Sequence, residues 1–185
     1  MTVINNVSYN NNDFALKAEY APRLKVINNT FWGSSFATPS ARGLVLSGDV
    51  TDATVLNNIV SVMSVSPGTS FKARGNNLIG VLGNNITGTG YMTLFAGEVI
   101  VGTSWGSSNF VSLSTGDLHL KSTATAAINQ GKNNGNTVQR DVDGNGVIDG
   151  TLATVAGVPL LDFDDDPIDP IGGQKDIGAF EYDGP

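Results

Sequence analysis

Short runs of alternating apolar and polar residues recur along the first half of the chain, and none of them is long enough for a helix. Examples are "FALKA" at 14–18, "LKVI" at 24–27, "GLVLS" at 43–47 and "ATVL" at 53–56. A period of two places alternate side chains on opposite faces of a strand, whereas a helix needs a 3.6-residue period over about eleven residues or more. The pattern therefore predicts short strands separated by turns.

The pair Asn-Asn recurs between apolar runs, in "VINNVSY" at 3–9, "VINNTFW" at 26–32, "VLNNIVS" at 55–61 and "RGNNLIG" at 74–80. These segments start 23, 29 and 19 residues apart, and a period in the low twenties with loop insertions is typical of a solenoid. Asparagine tolerates left-handed backbone, so each pair fits a turn between two strands. Asparagines stacked in successive repeats can also hydrogen-bond to one another as a ladder.

One of these repeats, "GLVLSGDVTDATVLNNIV" at 43–60, closely resembles the repeats of right-handed parallel β-helix proteins, the architecture of pectate lyases and polygalacturonases. The resemblance extends over residues 3–80 and implies an all-β fold, a right-handed parallel β-helix with an irregular C-terminal cap. An antiparallel β-sandwich also has short strands and Asn- or Gly-rich turns, but it does not require the recurring Asn-Asn register. We predict the β-helix and keep the sandwich as the alternative.

The C-terminal part contains three segments with a shared pattern: "GDLHLKSTATAAINQG" at 116–131, "DFDDDP" at 162–167 and "DIGAFEY" at 176–182. Together they resemble the choice-of-anchor type closing segment of secreted bacterial β-helix proteins. Ala126, Asn129 and Ile168 stand where that segment usually has Pro, Asp and Arg. The resemblance implies rungs over residues 1–127, an acidic cap over residues 128–185 packed on the last rungs, and an extracellular or cell-surface location. We expect "DIGAFEY" to lie across the last rung.

Charge divides the chain unevenly. The net charge is −7, with +3 on residues 1–140 and −10 on residues 141–185. Clustered carboxylates repel one another unless cations or protein donors offset them. No basic stripe is present to bind phosphates, so we expect no nucleic-acid partner. The chain has no cysteine, which excludes disulfides and thiolate metal sites.

The apolar runs are also short, and none approaches the roughly 20 residues of a membrane span. The opening "MTVINNVSYN" lacks the basic region and the apolar run of a signal peptide and enters directly into a repeat. We therefore expect a piece of a longer chain. Its first rung would expose unpaired backbone, which favours self-association through that rung.

The decapeptide "DVDGNGVIDG" at 141–150 has the ligand spacing of an EF-hand calcium loop over its first nine positions. The candidate ligands are Asp141, Asp143, Asn145, the carbonyl of Val147 and Asp149. Leu152 stands at position 12, where a bidentate carboxylate belongs, and no helix pattern flanks the loop. We predict a structural Ca²⁺ site completed by a carboxylate from elsewhere; the alternative is a solvated acidic turn. The run "DFDDDPID" at 162–169 would complete that site, form another, or be a solvated turn.

Candidate carbohydrate contacts are Trp32, Lys25 and Arg74. Exposed aromatic rings stack on sugars, a role open to Trp32 and Trp105, and Lys25 and Arg74 are two of the charged residues considered next. β-Helix lyases place a Lys or Arg base beside calcium-binding acids on one parallel sheet, and the resemblance directs attention to a wider set of charged residues. That set is Lys17, Glu19, Arg23, Lys25, Lys72 and Arg74, for which a row of solvent-facing charges is the competing interpretation. His119 is the single histidine, in the alternating "LHL", and we interpret it as an exposed or hydrogen-bonded strand residue.

These observations favour a C-terminal β-helix module of a secreted or cell-surface bacterial protein, structural or carbohydrate-binding and stabilised by calcium. The partner expected is a polysaccharide or cell-surface glycan. The alternative is the C-terminal portion of a polysaccharide lyase or glycoside hydrolase whose catalytic rungs lie mainly upstream. Because no convergent acid/base pair is found in the repeats, we expect this chain alone not to cleave polysaccharides.

Overall fold

The chain folds as an all-β protein whose sheets are built mainly of parallel strands. The computed structural model describes residues 1–11, 13–33, 42–83, 93–145, 147–164, 175–180 and 182. Within these ranges, no helix is long and apolar enough to cross a bilayer.

The strands of the first half are β1 Thr2–Ile4, β2 Val7–Tyr9, β3 Phe14–Glu19, β4 Lys25–Ile27, β5 Thr30–Trp32, β6 Arg42–Ser47, β7 Ala53–Leu56, β8 Ile59–Val65, β9 Phe71–Gly75 and β10 Leu78–Leu82. The later elements are β11 Val99–Ile100, α1 Trp105–Asn109, β12 Phe110–Ser112, β13 Asp117–Leu120, β14 Thr137–Asp141 and β15 Ala153–Thr154.

The strands form two large sheets. The first has the order β1-β4-β7-β9-β14-β15, and its first four strands run parallel while β14 and β15 join antiparallel. The second has the parallel order β2-β5-β8-β10-β11, and β3 and β6 add a parallel branch beside β8. Parallel pairing in both sheets excludes the antiparallel sandwich.

The strand register follows the repeats that the sequence predicted. Val3 pairs with Val26, Val26 with Val55, and Val55 with Arg74. Each of these residues holds the same place relative to its Asn-Asn pair, so the recurring asparagines mark equivalent points of successive repeats.

The Asn-Asn pairs form the turns between the two sheets, as predicted. The first asparagine of each pair has left-handed backbone, with φ between 51° and 56° at Asn5, Asn28, Asn57 and Asn76. The second asparagines form a ladder in which side-chain amides donate to the next side-chain oxygen: Asn6 to Asn29 at 3.1 Å, Asn29 to Asn58 at 2.9 Å and Asn58 to Asn77 at 2.9 Å. The predicted ladder is confirmed.

The core lies between the two sheets because alternate side chains project to opposite faces. Val26 of β4 belongs to one buried cluster with Phe31 of β5 and Val60 of β8. Their neighbours Ile27 and Ile59 fall into two separate clusters on the outer faces of the first and second sheets. Both outer faces are therefore partly covered by other segments of the chain.

Among the described strands, parallel pairing extends as far as β11. The last parallel strand, β11, is followed by α1 and by the antiparallel pair of β12 and β13. The sequence "LHL" at 118–120 alternates like a strand of the repeats. Its alternation is real, but β13 pairs with its neighbour along the chain instead of with the preceding repeat.

The described part of the C-terminal segment, residues 175–180 and 182, packs on the side of the second sheet against its central repeats. The Ala179 N–H donates to Thr30 Oγ1 at 3.0 Å, and the Gly178 N–H donates to Asn57 O at 2.8 Å. Ile177, Ala179 and Phe180 share a buried cluster with Ile59. The expected position of "DIGAFEY" is thus corrected, because its apolar residues cover an outer face that the central repeats leave apolar.

Candidate functional site: a cationic groove on the first sheet

A groove of about 420 Å³ opens on the outer face of the first sheet. Its lining comes from β4, β7, β9, β14 and the segments beside them: Arg23, Lys25, Asp52, Thr54, Lys72, Ala73, Arg140, Thr154 and Ala156. The volume lies within the range of about 300–1,000 Å³ that is usual for ligand pockets.

Strand register explains how these side chains meet. Lys25 pairs with Thr54, and Thr54 pairs with Ala73, which places them in one row across three strands. Ala53 pairs with Phe71 and Thr54 pairs with Ala73, so Lys72 is an extra residue on β9 at a β-bulge. Arg140 arrives from β14, which closes this edge of the row by antiparallel pairing with β9.

Two turn residues complete the groove. Arg23 and Asp52 precede β4 and β7, and both have left-handed backbone, with φ of 55° and 54°. The Arg23 N–H donates to Thr51 O at 2.7 Å, and the Asp52 N–H donates to Ser70 Oγ at 3.0 Å. These bonds anchor both turns to the following repeat, so the two side chains start from a fixed backbone.

The groove is strongly positive, because Arg23, Lys25, Lys72 and Arg140 face a single carboxylate, Asp52. Among the described residues, none of these four cations forms an ion pair. The Nε atom of Arg140 is buried and has no hydrogen-bond acceptor in the part of the chain that the structure describes. Buried N–H groups are nearly always paired, so this donor is suited to an acceptor supplied by a ligand.

Lys25 is the one predicted carbohydrate contact that lies in this groove, where its side chain is exposed. Arg23 and Lys72, from the wider set of predicted surface charges, join it. Arg140 was missed by sequence reasoning, because nothing local indicates that β14 pairs with β9. The distribution of charge along the strands was the available signal, and it identified three of the four cations.

Trp32 lies in the core and not on the surface. Its side chain is fully buried and its ring packs against Trp105 at 5.7 Å and Phe110 at 5.6 Å between centroids. A ring with no exposed face cannot stack on a sugar, so we withdraw Trp32 as a carbohydrate contact. Sequence reasoning assumed that one of Phe31 and Trp32 points to solvent, whereas α1 and β12 cover the outer face beside Trp32.

Arg74 is also buried, and we withdraw it as a carbohydrate contact. Its guanidinium binds Glu98 through two hydrogen bonds of 2.9 Å, from Nε to Oε1 and from an Nη to Oε2. The side chains of this pair are 2% and 0% exposed. The guanidinium also lies over the rings of Phe71 and Phe95, at 4.8 and 4.5 Å from their centroids.

Glu98 was not singled out in the sequence, yet it ends the asparagine ladder. Asn77 donates from Nδ2 to Glu98 Oε1 at 2.7 Å, and the Phe95 N–H donates to Oε2 at 2.9 Å. Gly97 precedes it with a φ of 77°, as the first asparagine of a pair would. The signal was present as "GEVI" at 97–100, which repeats the context of "NNLI" with Gly-Glu in place of Asn-Asn.

Lys17 and Glu19 form an exposed ion pair on β3, in the second sheet and outside the groove. Lys17 Nζ lies 2.8 Å from Glu19 Oε1. Hydrogen bonds from Lys17 and Ser47, with the lysine charge, hold the pKa of Glu19 below its usual value. The prediction that these two residues share one strand face is confirmed. Both side chains are exposed, as expected if they belong to a row of solvent-facing charges.

The 141–149 loop closes on itself through its own carboxylates. Asp141 accepts from the Gly144 N–H at 3.0 Å, Asp143 from the Asn145 N–H at 3.2 Å, and Asp149 from the Val142 N–H at 2.8 Å. The Asn145 side-chain oxygen accepts from the Val147 N–H at 2.7 Å. The donor set is the hard oxygen type that Ca²⁺ prefers.

Across the described ranges, no group of three or more His, Cys, Asp or Glu side chains is placed to hold a metal ion. Asp165, Asp166 and Asp169 of the predicted second acidic cluster lie outside the described residues. The calcium site of the 141–149 loop therefore stays a prediction.

His119 joins the second sheet's covering segments to the C-terminal part. Its Nδ1 lies 2.7 Å from Asp117 Oδ1, its Nε2 lies 2.6 Å from Asp164 Oδ2, and its ring packs 4.2 Å from that of Phe180. Burial opposes protonation, but the hydrogen bonds to the two carboxylates outweigh it and raise the pKa of His119. The hydrogen bond between His119 and Asp117 also lowers the pKa of Asp117. The interpretation of His119 as a hydrogen-bonded strand residue is confirmed.

Comparison of the chain with protein-family models, with curated proteins and with solved structures found no match. The groove, the buried Arg74–Glu98 pair and the His119 contacts therefore have to be interpreted from their own geometry.

Proposed function

We propose that this chain is a carbohydrate-binding module of a secreted or cell-surface bacterial protein, built on a right-handed parallel β-helix. The observation that carries the proposal is the groove on the outer face of the first sheet. It crosses four hydrogen-bonded strands, and its cations form no ion pair with any residue that the structure describes.

The β-helix part of the proposal is supported by the parallel register of successive repeats and by the buried asparagine ladder. Parallel strands joined through a crossover are almost always connected in the right-handed sense. A stack of equivalent strands gives an elongated, stiff surface, which suits the recognition of a polymer.

Binding is favoured over catalysis by the content of the groove. Asp52 is its one described carboxylate, whereas glycoside hydrolysis ordinarily takes two carboxyl groups on opposite sides of the scissile bond. The other charged residues among the described lining are four cations. We therefore do not propose glycoside hydrolysis at this groove.

Two further parts of the proposal concern stability and assembly. Calcium bound by the 141–149 loop would offset part of the −10 charge of residues 141–185.

Among the described strands, β1 pairs only with β4 and β2 only with β5. Their free edges favour self-association through the first repeat.

Binding of the purified chain to a glycan panel that contains neutral and acidic polysaccharides tests the proposed function. We expect binding of at least one glycan, measured by calorimetry, and no release of reducing ends or unsaturated products. Absence of binding to every glycan would contradict the proposal. Cleavage that is lost in Lys25→Ala would favour the lyase alternative instead.

A further inference from the structure

The groove has a charge pattern that restricts which glycan it accepts. We propose that it binds an acidic glycan, one that carries carboxylate or sulfate groups on adjoining sugars, with the polymer running across the strands. This inference rests on the proposed function and adds the chemical class and the orientation of the ligand.

The first argument is the arrangement of the cations. Lys25, Lys72 and Arg140 come from β4, β9 and β14, and β7 lies between the first two. Adjacent strands are about 4.8 Å apart, so the row from Lys25 to Arg140 covers about 14 Å perpendicular to the strands. A single small anion contacts one end of such a row, whereas an extended polyanion contacts all of it.

The second argument concerns the Nε–H hydrogen-bond donor of Arg140. Its Nε is buried and has no acceptor among the described residues, while its side chain lines the groove. Arginine presents Nε–H and Nη–H in a planar fork that matches the two oxygens of a carboxylate or sulfate. An oxyanion at this end of the row would satisfy the buried N–H.

The third argument separates glycans from nucleic acids, which are also polyanions. The chain has a net charge of −7, and Asp141 and Asp143 follow Arg140 directly along the chain. DNA carries about one charge per 1.7 Å of duplex, and that density is repelled by these carboxylates and by Asp52. Widely spaced acidic groups separated by hydroxyls fit better beside Asp52, Thr54 and Thr154.

The test is calorimetry with the full chain and five probes: polygalacturonate, chondroitin sulfate, neutral dextran, poly-dT and sodium sulfate. We expect polygalacturonate or chondroitin sulfate, which carry about one charge per sugar, to bind at least tenfold more tightly than dextran, poly-dT or sulfate ion. The affinity should also fall steeply with added salt, since the contacts are between charges.

Variants then locate the site. Lys72→Gln and Arg140→Gln should each weaken binding about tenfold, the effect expected when one charge-assisted hydrogen bond is lost. Arg140→Lys keeps the charge but loses the fork, and should also weaken binding. The matched control is Lys17→Gln, which removes the same charge from the second sheet and should leave the affinity within about twofold. Unchanged melting curves would show that the variants fold, and the exposed Lys72 keeps the test valid if Arg140→Gln is unstable.

The outcomes separate the two proposals. Dextran bound as tightly as the acidic glycans would overturn the acidic-glycan inference and leave the carbohydrate-binding module standing. The same inference is overturned if poly-dT binds equally well, if sulfate ion alone binds as tightly as the polymers, or if Lys17→Gln weakens binding as much as Lys72→Gln. No binding to any glycan would overturn the proposed function itself.

Discussion

The repeat region, residues 1–101, and the covering region, residues 102–182, are held together in different ways. In the repeat region the same parallel pairing and the same amide ladder recur from one repeat to the next. In the covering region the described contacts do not recur at a fixed period. They include two antiparallel strand pairs, an acidic turn and a histidine between two carboxylates.

This difference has consequences for how each region responds to its surroundings. Backbone and side-chain amides do not titrate, so the part of the ladder that runs from Asn6 to Asn77 is insensitive to pH and to cations. The covering region relies on carboxylates and includes exposed apolar side chains such as Leu160 and Phe163. We therefore expect large effects from changes in the repeats, and smaller effects that depend on pH or on calcium from changes in the covering region.

The largest effect is expected from breaking the buried pair at the end of the ladder. Arg74→Met leaves the Glu98 carboxylate buried among Asn77, Phe95 and apolar side chains without its counter-charge. Removing one partner of a buried pair costs about 3–5 kcal/mol. Urea unfolding followed by circular dichroism measures this loss.

The control for that prediction is the exposed pair on β3. Lys17→Met removes a cation from an ion pair of similar length whose side chains are 38% and 48% exposed. Exposed pairs contribute about 0–1 kcal/mol. Equal losses of unfolding free energy in Arg74→Met and Lys17→Met would show that burial of the Arg74–Glu98 pair is not what matters.

The next largest effect is expected inside the ladder. Asn58→Ala removes the side-chain oxygen that accepts from the Asn29 N–H and the amide that donates to Val26 O. Both groups are buried, and leaving them unpaired costs about 2–3 kcal/mol. Asn6→Ala, at the exposed end of the ladder, should cost about 1 kcal/mol or less. Similar losses in both variants would contradict a ladder that depends on burial.

Calcium should have an intermediate effect that is confined to the covering region. A ligand that binds only the folded state stabilises it by about 2.7 kcal/mol at 100 times its dissociation constant. Because Leu152 leaves position 12 without a carboxylate, we expect weak binding, with a dissociation constant of about 10⁻⁴ to 10⁻³ M. The melting temperature in excess chelator should therefore be several degrees lower than the melting temperature in excess calcium.

Asp143→Ala is the control for the calcium prediction. It should lower the melting temperature by a similar amount and remove the effect of the chelator, since Asp143 is one of the candidate ligands. Identical melting curves with excess calcium and with excess chelator would identify the 141–149 loop as a solvated acidic turn.

The repeat region was largely predictable from its sequence, because its signals are local. Alternating apolar residues specify strands and Asn-Asn pairs specify left-handed turns, and both recur at each repeat. The same logic failed at Arg74. The position of this residue at the end of "FKARG" indicates an outward charge, but Glu98, 24 residues later, draws the side chain into the interior.

The covering region was less predictable because its partners are distant in the sequence and do not repeat. Neither the pairing of β14 with β9 nor the contact of Ala179 with Thr30 has a local signal. For the same reason, only part of the groove was identified. Lys25, Arg23 and Lys72 belong to the repeats, whereas Arg140 comes from the covering region.

The smallest effect is expected from the histidine in the covering region, and it should depend on pH. The pKa of His119 is raised in the folded state by its bonds to Asp117 and Asp164, so folding favours the protonated ring. Its contribution is therefore fully present below the unfolded pKa of about 6.5 and is lost as the pH rises through the higher folded pKa. The pKa of Asp117 is lowered, so its contribution is present above the unfolded pKa of about 3.9 and is lost as the pH falls through the lower folded pKa. Between about pH 4 and pH 6.5 the protonated His119 holds the Asp164 segment against β13, with a stabilisation of at most about 1 kcal/mol because these side chains are partly exposed.

Chemical unfolding at pH 5.5 and at pH 8 should show this difference in the native chain and not in His119→Gln, which forms hydrogen bonds without a titrating charge. A pH dependence that persists in His119→Gln would assign it to other groups and remove His119 as the pH-sensitive contact of the covering region.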